Sequence, residues 1–224
     1  MYVIIAGGGL VGKGLAERLV ANKHDVIVID KNQSVCEEIF ATTGAIAVQG
    51  NASNLETLEN AHIDKCEVAV ATMREDADNL SFALLAKHFG VSQILVRMNN
   101  PKYEGIYKSI GVKKIARSTD LLIDQLFVSI ETPELRKVIQ LGNLEICIVD
   151  LPKNSIFHGK KIVDVVNYSG FPQTINVTAV FIDGDQKFIV PRGNTIIHEL
   201  DRLFLCGSHA DLKKAAKILQ KVNK

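Results

Sequence analysis

Short, nearly continuous runs of apolar residues recur along the first half of the chain, separated by segments with helical spacing. Five runs are clear, and a sixth, weaker one lies near Lys114–Ala116. The five are Tyr2–Ala6, Asp25–Asp30, Ala45–Gln49, Val68–Thr72 and Gln93–Arg97. Because apolar residues occupy both faces of these runs instead of alternating, the runs are typical of parallel strands covered by helices on both sides.

The segments between these runs carry helix signals. Leu80 and Leu84 fall on successive turns of one segment, and Gly90 follows it as a stop signal. Ser34–Glu37 and Ser53–Glu56 each match the capping box with which helices begin. The alternation of strands and helices predicts a Rossmann-like α/β domain, a doubly wound parallel sheet with right-handed crossovers.

The pattern changes beyond this region. Thr119–Ile130 is a strongly apolar helix whose apolar positions exceed what anchoring on one small domain requires. Two interpretations stay open, an interface with another molecule and simple packing on its own sheet.

From Val138 onward, strand signals dominate and indicate a smaller α+β unit. The expected elements are strands Glu145–Leu151, Val177–Ile182, Lys187–Val190 and Leu203–Cys206, a hairpin turn at Asp183–Asp185, and helices Ile162–Val166 and His209–Val222. We therefore predict two domains: a dinucleotide-binding domain at residues 1–132 and a smaller α+β C-terminal domain at residues 137–224.

Composition excludes several classes of protein. The 26 basic and 25 acidic side chains nearly cancel, and nucleic-acid binding requires a positive field, so no nucleic-acid partner is expected. No apolar run approaches the roughly 18 residues that cross a bilayer. The first residues also lack the pattern of a signal peptide. We expect a cytoplasmic protein, in which the four scattered cysteines are small buried hydrophobic residues.

A glycine-rich stretch follows the first strand. Gly7–Gly8–Gly9–Leu10–Val11–Gly12 fits the pattern G-x-G-x-x-G and opens a predicted helix. In such a loop Gly7 permits the tight turn, Gly9 lets the backbone approach a pyrophosphate, and Gly12 lets helix and strand pack closely. The helix start offers free N–H groups and a favourable dipole to the negative charge.

An acid completes this pattern. Asp30 ends the second strand, where a carboxylate accepts hydrogen bonds from ribose hydroxyls and repels a 2′-phosphate. This favours NAD or an adenosine nucleotide over NADP. Ligands of such sheets bind outside the carboxyl ends of the strands, so the residues that follow the strands are expected to line the same crevice: Gly50, Asn51, Ala52, Thr72, Met73 and Arg97. Arg97 is a candidate partner for a phosphate, for an acid of a facing subunit, or for an acid within the domain.

The ordered combination of these motifs resembles a known family. GNAS at residues 50–53, DADNL at 76–80, LAKHFG at 85–90 and RMNNP at 97–101 follow the glycine loop as they do in TrkA-type proteins. Those are the soluble subunits of Trk and Ktr potassium uptake systems, built on RCK domains. The C-terminal half is similar too, at Gly159–Lys161, Val190–Pro191 and Leu200–Phe204 among others.

The resemblance implies a regulatory protein without catalysis. It implies binding of NAD(H), ATP or ADP, dimers that assemble into a ring, and a membrane-embedded potassium transporter or channel as partner. The nucleotide contacts it carries over are Gly7, Gly8, Gly9, Leu10, Val11, Asp30, Asn51, Ala52, Thr72, Met73 and Arg97. Two departures matter. Leu10 stands where ATP-responsive relatives often have an arginine, and Asn51 stands where the family usually has an aspartate, so NAD(H) is the favoured ligand and ADP or ATP stays open.

An enzyme is the main alternative. A small NAD-dependent oxidoreductase would share the glycine loop and Asp30, but it needs a proton-handling group beside the nicotinamide. The six histidines are dispersed, and none forms a metal-ligand or catalytic pattern with a cysteine or acid. A redox-sensing DNA-binding repressor is a weaker alternative, because no basic helix-turn-helix segment is present.

Overall fold

Six parallel strands of the N-terminal half lie within one residue of their predicted bounds. The structure, a computed structural model, describes residues 1–223 and the side chains of all of these except Lys137 and Leu141. The strands are β1 Tyr2–Ala6, β2 Asp25–Asp30, β3 Ile46–Gln49, β4 Val68–Ala71, β5 Gln93–Met98 and β6 Lys114–Arg117. They form one sheet in the order β3-β2-β1-β4-β5-β6. This order confirms the doubly wound α/β prediction and places the topological switch point between β1 and β4.

Helices cover both faces of this sheet because successive residues of each strand point to opposite sides. Ile4 and Ala6 of β1 belong to one buried cluster, whereas Val3 and Ile5 belong to the other. The helices are α1 Leu10–Ala21, α2 Gln33–Thr43, α3 Leu55–Asn60, α4 Asp76–His88 and α5 Glu104–Ser109.

The two predicted capping boxes are wrong in detail. Asn32 caps α2 and accepts a hydrogen bond from the Ser34 amide, so Ser34 lies inside the helix and does not cap it. Asn54 caps α3 in the same way, through the Glu56 amide. Asparagine is at least as good an N-cap as serine, and each asparagine lies where the backbone is extended before the helix.

Helix α6, Ser118–Glu131, follows the sheet and carries a broad exposed apolar surface. Its exposed side chains are Leu121, Leu122, Ile123, Leu126, Phe127 and Ile130, each more than half accessible. Val128, in contrast, is buried in the core of the C-terminal half. Six of the large apolar side chains on this 14-residue helix are thus more than half accessible to solvent.

Antiparallel strands build the C-terminal half. They are β7 Arg136–Leu141, β8 Leu144–Asp150, β9 Lys160–Lys161, β10 Asn176–Ile182, β11 Lys187–Ile189, β12 Ile196–Ile197 and β13 Arg202–Gly207. Five of them form a sheet in the order β11-β10-β13-β8-β7, and β12 pairs with β9. Helices α7, Ile162–Val166, and α8, His209–Leu219, complete this unit. The α+β prediction is confirmed, although β7, β9 and β12 were not predicted and α8 ends three residues before the predicted Val222.

The chain divides into two compact units, Met1–Leu121 and Leu122–Lys224. The predicted domain ranges, 1–132 and 137–224, place helix α6 in the first domain and stay a prediction. Within residues 1–223, no helix combines the length and the apolar character that crossing a bilayer requires.

Candidate functional site

A cavity of about 310 Å³ opens at the carboxyl ends of the parallel strands, beside the switch point. Its volume is at the lower end of the range for small-molecule sites. Its lining combines residues of the glycine loop with acidic and basic side chains. The lining residues are Gly7, Gly9, Ile29, Asp30, Lys31, Gly50, Ala52, Thr72, Met73, Arg74, Asp78 and Arg97.

The glycine loop has the geometry that its sequence predicts. Gly7 has φ of +100°, a conformation that side-chain-bearing residues rarely adopt. A Cβ on Gly12 would lie 1.9 Å from the carbonyl oxygen of Gly7, so the helix could not approach the loop this closely with any other residue. Gly9 caps helix α1 in extended conformation, and a Cβ there would meet no atom within 4 Å. The backbone at Gly9 is therefore open to an approaching ligand.

Asp30 is held in place by the loop that it faces. Its Oδ2 accepts a hydrogen bond from the Gly8 amide at 2.7 Å, and its Oδ1 accepts one from the Asn32 amide at 2.9 Å. Each carboxylate oxygen retains a second lone pair that can accept from a ribose hydroxyl. Beneath it, the Cys36 thiol donates to the Asp30 carbonyl oxygen, and burial raises the pKa of that thiol.

Thr72 serves the fold of the loop. Its hydroxyl oxygen lies 3.0 and 2.9 Å from the carbonyl oxygens of Ala6 and Gly7, to which the hydroxyl group donates. The side chain is buried, so it fixes the end of β1 against the end of β4. Met73 follows it and packs against the turn at Gly7.

A fully buried asparagine connects the ends of β4 and β5. Asn79 accepts a hydrogen bond from the Met73 amide at 2.9 Å and donates to the Met73 carbonyl oxygen at 3.1 Å. Its amide nitrogen also lies 3.1 Å from the carbonyl oxygen of Arg97, to which it donates. One side chain thus sets the spacing between two strand ends of the cavity wall.

Asp76 and Tyr107 stabilise the loop that follows β5. Asp76 accepts hydrogen bonds from the amides of Asn99 and Asn100, the shortest at 2.8 Å. The buried Tyr107 hydroxyl donates to the Asp76 carbonyl oxygen, and burial raises the pKa of Tyr107, with a further contribution from the Asp76 charge. The loop beside Arg97 is therefore well anchored.

The predicted site residues divide into two groups. Seven line the cavity: Gly7, Gly9, Asp30, Ala52, Thr72, Met73 and Arg97. Five do not: Gly8, Leu10, Val11, Gly12 and Asn51. Of these, Gly8 holds Asp30 through its amide, Gly12 packs on the loop, and Leu10 is almost fully exposed. The Asn51 side chain turns back to accept from the Ser53 amide.

Gly50, expected at the crevice as the residue after the third strand, also lines the cavity. Four lining residues were not predicted: Ile29, Lys31, Arg74 and Asp78. Lys31 adjoins a predicted strand end, so counting one more residue beyond that strand would have found it. Arg74 is the residue after Met73, and Asp78 lies in the first turn of α4. The sequence signal for Asp78 is weak, because an acid in a first helical turn usually serves the helix itself.

Two sequence families match consecutive parts of the chain. Residues 3–118 match the TrkA-N domain, and residues 146–220 match the TrkA-C domain. The chain belongs to the TrkA family. The resemblance drawn from the ordered motifs is thereby confirmed.

Two relatives illustrate the breadth of this match. A Trk system potassium uptake protein TrkA homolog of Archaeoglobus fulgidus is 31% identical over 222 residues, which are 95% of this chain and 48% of that protein. This chain therefore spans about half the length of that TrkA homolog. A second homolog, of Methanothermobacter thermautotrophicus, is 29% identical over 88% of this chain and 89% of its own length.

Solved structures show the same fold. The GsuK channel bound to NAD superposes on the whole chain with a TM-score of 0.66 and 18% identity, using 40% of its own length. GsuK bound to ADP matches 59% of this chain and 35% of its own, with a TM-score of 0.53 and 18% identity. The crystal structure of the GsuK RCK domain also covers the whole chain, with a TM-score of 0.67. This TrkA-family chain therefore has the RCK fold.

Proposed function

We propose that this protein is a cytosolic regulatory subunit that gates a membrane-embedded potassium transporter or channel of the Trk or Ktr type. Its signal is an adenine nucleotide, NAD(H) or ADP/ATP, bound in the cavity at the strand ends. The single observation that carries the proposal is the pairing of an open glycine loop with Asp30 in one cavity of a TrkA-family chain.

The ligand position follows from the chemistry of the lining. The phosphates lie over Gly7–Gly9 at the start of α1, where N–H groups and the helix dipole favour negative charge. A ribose lies beside Asp30, whose carboxylate accepts from its hydroxyls and disfavours the 2′-phosphate of NADP. The adenine lies toward Gly50 and Ala52. Fold neighbours solved with NAD and with ADP support this class of ligand.

Gating requires that the ligand bind two states of the assembly unequally, because equal affinity for both states shifts nothing. We propose that copies of the chain pair through the exposed apolar surface of α6 and that the dimers assemble into a ring. Nucleotide binding would change the geometry of the paired domains, and the membrane partner would respond by opening or closing.

Calorimetry and thermal unfolding with NAD, NADH, ADP, ATP and NADP test the nucleotide site. We expect at least one of the first four to stabilise the protein, by about 2.7 kcal/mol at a hundredfold excess over its Kd, and NADP to be weaker than NAD. Asp30→Ala should remove this effect. Asp25→Ala is the matched control, because Asp25 is exposed at the opposite end of the same strand. If no adenine nucleotide binds at millimolar concentration, the proposal is wrong.

A further inference from the structure

The charges around the cavity are unevenly placed. Asp30 stands at the ribose end, and Lys31 is balanced by Asp78, whose carboxylate lies 3.8 Å from its ammonium group. The other end, at β4 and β5, has two arginines, Arg74 and Arg97. Both arginines that line the cavity therefore lie at the end away from Asp30.

Neither arginine is committed to a strong ion pair. The Arg74 guanidinium lies 3.7 Å from Glu75, but both side chains are largely exposed, 95% and 71%, so water screens the pair. Arg97 makes no ion pair within residues 1–223, and its Nε lies 3.4 Å from the Ser118 hydroxyl, a long hydrogen bond. Both guanidinium groups are available to an anionic ligand.

The backbone that carries these arginines is fixed on both sides. Asn79 binds the backbone of Met73, one residue before Arg74, and also the carbonyl oxygen of Arg97. The side-chain amide of Asn99 donates to the Arg74 carbonyl oxygen at 2.8 Å. The backbone positions from which the two arginine side chains extend are thus fixed at one end of the same cavity.

We infer that Arg74 and Arg97 form a clamp for the terminal phosphate of an adenine nucleotide, which makes ADP and ATP tighter ligands than AMP or NAD(H). This inference rests on the proposed nucleotide site. The guanidinium fork matches phosphate oxygens in pairs, and such charge-assisted bonds are the strongest of their kind. If the α-phosphate lies over the glycine loop and the ribose beside Asp30, the β- and γ-phosphates extend toward Arg74 and Arg97.

NAD(H) fits this end of the cavity less well. Its second phosphate is esterified, and beyond it come a ribose and a nicotinamide, which give the two arginines no terminal phosphate. In NAD⁺ the nicotinamide ring is itself positive, so its approach to the clamp is repulsive, whereas the NADH ring is neutral. The expected order of affinity is therefore ADP and ATP first, NADH next and NAD⁺ last.

The clamp also revises the ligand preference drawn from the sequence. The sequence favoured NAD(H) because Leu10 stands where ATP-responsive relatives often have an arginine and Asn51 where the family usually has an aspartate. Arg74 supplies that positive charge from the loop after β4 instead.

Calorimetric titration of the protein with AMP, ADP, ATP, NADH and NAD⁺ tests the clamp. In the wild type we expect ADP or ATP to bind about 10- to 100-fold more tightly than AMP, the effect of one or two charge-assisted bonds. Arg74→Ala should remove most of that advantage and change the AMP affinity by less than about threefold. The matched control is Arg18→Ala, an exposed arginine of α1 outside the cavity, which should leave every affinity unchanged.

The outcomes separate the clamp from the site. If AMP, ADP, ATP and NADH bind the wild type equally, or if Arg74→Ala weakens AMP as much as ATP, the clamp is overturned and the nucleotide site stands. If no nucleotide binds the wild type, both fail. Retained AMP binding by Arg74→Ala shows that the variant is folded. The clamp is supported if high salt removes the preference of the wild type for ADP over AMP and leaves the ratio of the two affinities unchanged in Arg74→Ala.

Discussion

At the scale of the single residue, alanine substitutions at two glycines of helix α1 are expected to change the free energy of unfolding in opposite directions. A Cβ at Gly12 would collide with the Gly7 carbonyl oxygen, whereas a Cβ at Gly14 would meet no atom within 4 Å. We expect Gly12→Ala to lower the free energy of unfolding by about 1–3 kcal/mol or more, because loop and helix must separate. Gly14→Ala should raise it by about 0.5–1 kcal/mol, since alanine is the better helix former.

Denaturant unfolding of both variants measures this difference. A Gly12→Ala protein as stable as the wild type would contradict the close contact between helix and loop. Nucleotide binding by Gly14→Ala should be unchanged, because Gly14 does not line the cavity.

Single residues also show why part of the site could be predicted. The glycine loop and Asp30 form a local pattern, in which each residue has a backbone or ribose contact fixed by its place in the strand–turn–helix unit. Arg74 has no such pattern. Its role depends on Asn79 and Asn99 fixing its backbone, and those contacts connect residues that are apart in sequence.

At the scale of elements, helix α6 carries the clearest prediction. Leu126 and Phe127 are more than half exposed, so Leu126→Asp with Phe127→Asp should leave the fold intact and weaken pairing of copies by at least about 100-fold, as for the loss of central interface anchors. Sedimentation or light scattering measures the oligomer, and circular dichroism checks the fold. Phe40→Asp on α2, an equally exposed apolar position, is the matched control. A double variant that pairs like the wild type would contradict this role for α6.

Elements were predictable where burial is strong and less so where it is weak. The strands at the centre of the parallel sheet are apolar on both faces, so their bounds follow from the sequence. β7 is an edge strand whose register shifts between Lys137 and Ile139, and Val138 and Ile139 are exposed, so its pattern is not clearly that of a strand. The hairpin between β10 and β11 was predicted from Gly184, but it is Gln186 that takes the left-handed conformation.

At the scale of the whole molecule, gating makes a thermodynamic prediction. If the nucleotide changes the affinity of this protein for its membrane partner, the partner must change the affinity for the nucleotide by the same factor. We expect a shift of about 5- to 150-fold between the nucleotide Kd measured with and without the solubilised partner. Equal values would show that the nucleotide does not bias the gate.

The topology of the first domain could be predicted at this scale because right-handed crossovers leave few arrangements of six parallel strands. The domain boundary and the surface through which copies pair could not be predicted from the sequence. Thr119–Ile130 is apolar enough for a core or for an interface, and the exposure of its side chains depends on the folded structure.

The Asn79 bridge restricts how the cavity can move. If the ends of β4 and β5 separated with Asn79 still bound to Met73, the hydrogen bond that Asn79 donates to the Arg97 carbonyl oxygen would break, at a cost of about 1–3 kcal/mol for a buried polar group left without a partner. This cost opposes widening of the cavity at that wall. On the opposite wall, the turn after β2 is joined across the mouth to helix α4 by the exposed Lys31–Asp78 pair, whose attraction weakens as salt screens the two charges.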